Sequence, residues 1–228
     1  MQYPASRRVA VPAGIVVLLF LFPSFLSAQY FGRNKVQWEA FDWQILKTEH
    51  FDIYYYPEEE QAVRDTARMA ERWYSRLRQV FERDFVERKT IVLYADQSDF
   101  QQTTVVRGLI GEGTGGVTEG LRTRVVLPLT GNYEETDHVL GHELVHVFQY
   151  DILKDPLIRQ EGGGQAGGYA LPLWFIEGLA EYLSLGPTSP QTSMWLRDAL
   201  ARDELPTLRD ISRDFRYFPY RWGHAFWS

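Results

Sequence analysis

The stretch 138-HVLGHELVHVFQYD-151 sets two histidines four residues apart, with a glutamate directly after the first. On a helix, residues at that spacing share one face, with β-carbons about 5–6 Å apart. His142 and His146 can then aim ring nitrogens at one point. Glu143, turned about 100° from His142, reaches a water held at that point. Val139, Leu140, Leu144, Val145, Val147 and Phe148 make the rest of the stretch apolar, as in a buried helix. A buried helix must satisfy two imidazoles and a carboxylate, and a metal ion does so directly. Zinc at such a site lowers the pKa of bound water to about 7, and the adjacent carboxylate takes the proton as general base. The competing reading is a core helix that matches the five-residue pattern by chance.

A catalytic zinc site takes three protein ligands and keeps one position open. Downstream, 172-PLWFIEGLAEYLS-184 carries Glu177 and Glu181, again four apart, in an otherwise apolar segment. Glu177 is the candidate third ligand. Glu181, one turn later, either accepts a hydrogen bond from a ligating histidine and fixes its tautomer or is a solvated helix acid. The chain has no cysteine, so a metal site must be built from His, Asp and Glu. Such a donor set suits zinc and other divalent metals alike.

Working outward, Phe51 to Tyr56 reads as a strand ended by Pro57. Glu58 to Val86 reads as a long helix, with Ala62, Ala70, Trp73, Leu77, Val80 and Phe81 at helical spacing and charges opposite. Thr90 to Tyr94 is a second strand. The segment 108-GLIGEGTGGVTEG-120 must turn, and it lacks the lysine of a phosphate loop. Arg124 to Pro128 is a third strand, and its proline marks an edge. Helices follow at 136–151, 172–184 and 191–201, the first two separated by a loop with glycines at 162–164 and 167–168. Strands precede helices, so the class is α+β: a small mixed sheet with a long packing helix and an active-site helix, then a helical lobe.

The 228 residues are 45% hydrophobic and 24% charged, a globular balance. The net charge of −6 argues against nucleic acid as the main partner, since phosphate binding needs a basic surface. Arg7, Arg8, the apolar run from Ile15 to Phe22, Pro23 and Leu26-Ser27-Ala28 form the pattern of a secretory signal peptide over 1–28. The apolar run is short for a bilayer span, which favours cleavage over a retained anchor. The mature chain is then exported, to the periplasm, the outer surface or the medium, with no stable membrane span. It comprises an N-terminal arm at 29–48 and a domain at 49–228 that ends in an apparent helix, as a truncated domain would.

These residues resemble the gluzincin metallopeptidases, the peptidase MA-like superfamily, whose signature is two helical histidines with a glutamate and a later W-x-x-E-G-x-A motif. Here the later motif is Trp174-Phe175-Ile176-Glu177-Gly178-Leu179-Ala180. The resemblance implies a zincin, thermolysin-like fold. It also implies zinc held by His142, His146 and Glu177, with Glu143 as general base, and Glu181 matches the family's acid one turn on. Pro219-Tyr220-Arg221-Trp222-Gly223 is similar to a P-Y-x-x-G motif whose tyrosine stabilises the oxyanion, which makes Tyr220 the candidate and Tyr217 its rival. Gly115 to Glu119 is similar to a G-[AG]-M-E-N motif on the edge strand, out of step by one residue and without the asparagine, and offers Glu119 as a substrate-amine contact. In layout the chain resembles exported bacterial proteins that join such a domain to a C-terminal β-propeller.

The expected function is hydrolysis of a peptide or protein substrate by metal-activated water, with the substrate along an edge strand near Arg124 to Leu127. A non-catalytic, zinc-containing module that binds a protein or an envelope polymer is the alternative.

Overall fold

The structure is a computed structural model that describes residues 35–106, 108–154, 171–214 and 216–228. The expected leader at 1–28 and the glycine loop at 162–168 lie outside the described residues. The order is β1 (Gln44–Lys47), β2 (Phe51–Tyr55), a 3-10 turn (Pro57–Glu59), α1 (Glu60–Phe81), β3 (Lys89–Tyr94), α2 (Gln97–Gln101), β4 (Val117–Glu119), β5 (Arg124–Pro128), α3 (Tyr133–Leu153), α4 (Leu173–Leu185), α5 (Pro190–Ala201), α6 (Leu208–Arg213) and α7 (Pro219–Trp227). This is a mixed α+β chain. None of the described helices is long and apolar enough to cross a membrane.

The five strands form one sheet in the order β1-β2-β3-β5-β4. β2, β3 and β5 run parallel, and β1 and β4 flank them antiparallel. Successive side chains of a strand face opposite sides, so two cores form. On one side Phe51, Ile53, Ile91, Leu93, Val125 and Leu127 pack under α1, α3 and α4. On the other, Tyr94 and Val126 pack with Tyr56, Phe100 and Ile110.

Two expectations about the sheet are corrected. Gln44–Lys47, inside the stretch read as an N-terminal arm, is a strand paired with β2; its residues alternate too weakly for the pattern to show. Pro128 does not mark an edge, because β5 lies between β3 and β4. The proline is the strand's last residue, and β4 pairs only with Arg124, Val125 and Val126, so the missing N–H lies beyond β4's end. The outer strand on this side is Val117–Glu119, within the stretch read as turn, and it occupies the edge at Arg124 to Val126 where a substrate strand was expected.

α1 also stops earlier than the pattern implied. Glu82 adopts the left-handed conformation (φ 48°, ψ 43°) and its N–H bonds Arg78 O. The residues after it are held by other partners: Arg83 Nε lies 2.5 Å from Asp151 Oδ2, and Asp84 accepts from the Tyr74 hydroxyl at 3.0 Å. Val80, assigned to the apolar face, is exposed, and Val63, Ala67 and Tyr74 complete that face instead.

α3 starts at Asn132, whose side chain accepts from Glu134 N, with Glu134 and Glu135 in the first turn where the helix dipole favours acids. From Leu140 to Phe148 every residue is buried. The helix passes close to α1 at Gly141, where a β-carbon would come 2.5 Å from the Trp73 ring. Its far end is pinned by Asp151, which takes Lys89 Nζ at 2.8 Å as well as Arg83. α4 and α7 meet closely at Gly178 and Gly223. Trp227 Nε1 donates to Phe175 O (3.2 Å), and His224 Nε2 lies 2.9 Å from Gly186 O.

Candidate metal centre

α3 and α4 bring three side chains to one point. His142 Nε2 and His146 Nε2 are 3.1 Å apart, and each lies 3.2 Å from Glu177 Oε2. Both histidines are buried and Glu177 is half-buried. Ligands held at about 2.0–2.1 Å by a tetrahedral ion stand about 3.3–3.4 Å from one another. The observed triangle fits that geometry. Two imidazole nitrogens and a carboxylate oxygen this close need a proton or a cation among them. His142, His146 and Glu177 form the one group among the described residues with such metal-ligand geometry.

The protonation energetics agree. Burial pushes the His142 imidazole down, but Glu177 and Glu181 beside it outweigh burial and hold its pKa up at about 10. Burial pushes the Glu177 carboxyl up, yet contact with the two imidazoles brings it down to about 2. The carboxylates thus favour positive charge on the imidazole side of the cluster, the charge that a bound cation would also supply.

Around this triangle each imidazole has a partner on its outer nitrogen. Glu181 Oε1 stands 2.9 Å from His142 Nδ1, at ion-pair distance but not aligned as a hydrogen bond. The same oxygen lies 3.7 Å from His138 Nε2, one turn earlier on α3. On the other histidine, Nδ1 lies 2.7 Å from Gln149 Oε1, and Gln149 Nε2 donates to Ile176 O at 3.1 Å.

Glu143 is buried beside the triangle, and Thr118 Oγ1 lies 2.6 Å from its Oε2. Thr118 belongs to β4. The strand can pass this close because Gly116 precedes it: a β-carbon there would lie 3.0 Å from Glu143 Cγ. The glycine-rich stretch thus lays the outer strand against the buried glutamate.

Tyr220 stacks on His142, ring centroids 5.4 Å apart at 19°. Burial first, then the charges of Glu177 and Glu143, pushes its phenol pKa up, so the hydroxyl keeps its proton. Tyr217, the rival, packs edge-on against Trp222 instead. Glu119 stands apart from the cluster. It follows Thr118 on β4 and so points to the other side of the sheet, where it pairs with Arg124 at 2.7 Å.

The sequence reading missed Thr118, Gln149 and His138. Gln149 and His138 carry a faint signal, at helical spacings of three from His146 and four from His142. Thr118 carries none, because its contact crosses 25 residues to another element.

Comparison of the chain with protein-family models, curated proteins and solved structures gives no match.

Proposed function

We propose that this chain is an exported zinc metallopeptidase of the gluzincin type, with a zincin-like fold, that hydrolyses peptide bonds in a peptide or protein substrate. The observation that carries the reading is the convergence of His142 Nε2, His146 Nε2 and Glu177 Oε2, with the buried Glu143 beside them. The leader-like sequence at 1–28 supports export.

Zinc held by these three residues supplies Lewis acidity at neutral pH. The substrate backbone lies along β4, which pairs with β5 on one side only among the described residues, and extends the sheet. Glu143, with Oε2 held by Thr118, takes a proton from the attacking water and passes it to the leaving amine. Tyr220, kept protonated by its surroundings, donates a hydrogen bond to the oxyanion that develops on the scissile carbonyl. Glu181 orients His142 through Nδ1.

The test is metal content and peptide turnover measured on the same preparations. The chain purified without added metal carries about one zinc, His146→Ala loses it, and Glu143→Gln keeps it while turnover of a quenched peptide library falls about 10²–10⁴-fold. A non-catalytic module would keep its metal and show no Glu143-dependent turnover. A folded chain with no affinity for zinc would refute both.

A further inference from the structure

The contacts of Gln149 fix more than its own position. A backbone carbonyl oxygen only accepts, so the group that faces Ile176 O at 3.1 Å is the amide NH2 of Gln149. The amide oxygen is then turned toward His146 Nδ1, at 2.7 Å. An oxygen that only accepts requires a proton on Nδ1. With Nδ1 protonated, the neutral imidazole has its lone pair on Nε2, the atom that faces His142 and Glu177. The tautomer of His146 is dictated, through one side chain, by a carbonyl of α4.

We infer that Gln149 is a positioning residue that holds His146 in its Nε2-ligating tautomer and fastens that ligand to the helix bearing Glu177. This rests on the metal-site reading above. Ile176 immediately precedes Glu177, so one amide spans two ligands from two helices. His142 has a different arrangement, since its outer nitrogen faces the carboxylate of Glu181. The centre therefore has one charged and one neutral outer partner. The neutral one also acts as a strut between α3 and α4, which a carboxylate could not do at Ile176 O for want of a donor.

The test compares Gln149→Met, of similar size but without either hydrogen bond, with Gln149→Glu, which keeps the acceptor and loses the donor. Zinc affinity is read by competition with a chelating dye, and the His146 Nδ1–H is observed by NMR in the zinc-loaded protein. Wild type should give a slowly exchanging downfield Nδ1–H signal with a nuclear Overhauser contact to the Gln149 side chain. Gln149→Met should bind zinc about 10–100-fold more weakly and lose the protected signal. Gln149→Glu should keep the signal and recover part of the affinity. Wild-type affinity and an unchanged signal in Gln149→Met would overturn the role of Gln149. Should that variant fail to fold, absence of the Gln149 contact in wild type overturns it equally. A wild-type chain that binds no zinc refutes the metal site itself, a distinct outcome.

Discussion

Gly178 of α4 and Gly223 of α7 face each other with no room for a side chain. A β-carbon on either would fall well inside 3.0 Å of the other's backbone. Glu177 immediately precedes the first glycine, and Tyr220 lies one turn before the second. The contact sets how close Glu177 and Tyr220 come to His142. The obstructing atoms are backbone, so no rotamer change relieves an added methyl. Gly178→Ala should lower stability by about 1–3 kcal/mol in urea denaturation and weaken zinc binding, because α4 and α7 must part. Gly131→Ala, at a turn glycine with φ 77° and open space around it, should cost stability without affecting metal affinity.

Thr118 gives the outer strand a hold on Glu143. Thr118→Val keeps the shape and removes the hydroxyl. Zinc content should stay at wild-type level, while kcat on a good peptide substrate should fall about 10-fold with little change in KM. Thr118→Ser should restore most of it. A 10-fold fall is about 1.4 kcal/mol, the size of one hydrogen bond. A Thr118→Val variant as active as wild type would separate β4 from the chemistry.

Asp151 is held between Lys89 and Arg83 where α1, β3 and α3 meet. Burial pushes its pKa up, but hydrogen bonds from Lys89 and Arg83 outweigh that and bring it below the ordinary aspartate value. The depressed folded pKa means the stabilisation is complete above the unfolded value, near 3.8, and is lost as pH falls through the lower folded value. Asp151→Ala leaves Lys89 buried without its carboxylate and should cost about 3–5 kcal/mol at pH 7. The difference from wild type should narrow below pH 4, which acid-titrated urea melts would report.

Glu59 has the opposite sign. It is fully buried in the turn before α1, with Oε2 accepting from Tyr56 N and Oε1 without a partner. Burial raises its pKa to about 8. Its contribution is complete below the unfolded value near 4.5 and is lost as pH rises toward 8. Glu59→Gln keeps a neutral side chain of the same shape at every pH. It should match wild type near pH 5 and be more stable by about 1–3 kcal/mol at pH 8.5. A pH-independent difference between the two would assign Glu59 an ordinary, charged state.

His142, Glu143 and His146 were legible in the sequence because a helix converts spacing into geometry without help from the rest of the chain. The structure also joins Glu177 to them, and Glu181 and Tyr220 to His142, although each contact crosses more than 30 residues. Glu177 and Glu181 are legible as two acids four apart in an apolar segment, and Tyr220 only through motif resemblance, since the register of α7 depends on how it packs on α4. The parts that escaped are those in which tertiary contacts override local pattern. Pro128 suggested an edge because its missing N–H could not be placed relative to β4. α1 ends before its pattern predicts, because nothing local in Glu82-Arg83-Asp84 announces partners at Asp151 and Tyr74. Thr118 was hidden in a glycine-rich stretch whose use is closeness to Glu143, a distance no spacing encodes.

The pairing of Gly178 with Gly223 also has a consequence in time. A ribosome delivers α3 first, then α4, and Tyr220 only near the end of these 228 residues. Until α7 docks, a nascent chain carries the two histidines and Glu143 with Tyr220 missing from above them. The stacking of Tyr220 on His142 is therefore completed only once α7 has been made and has docked on α4, long after the two histidines and Glu143 have emerged.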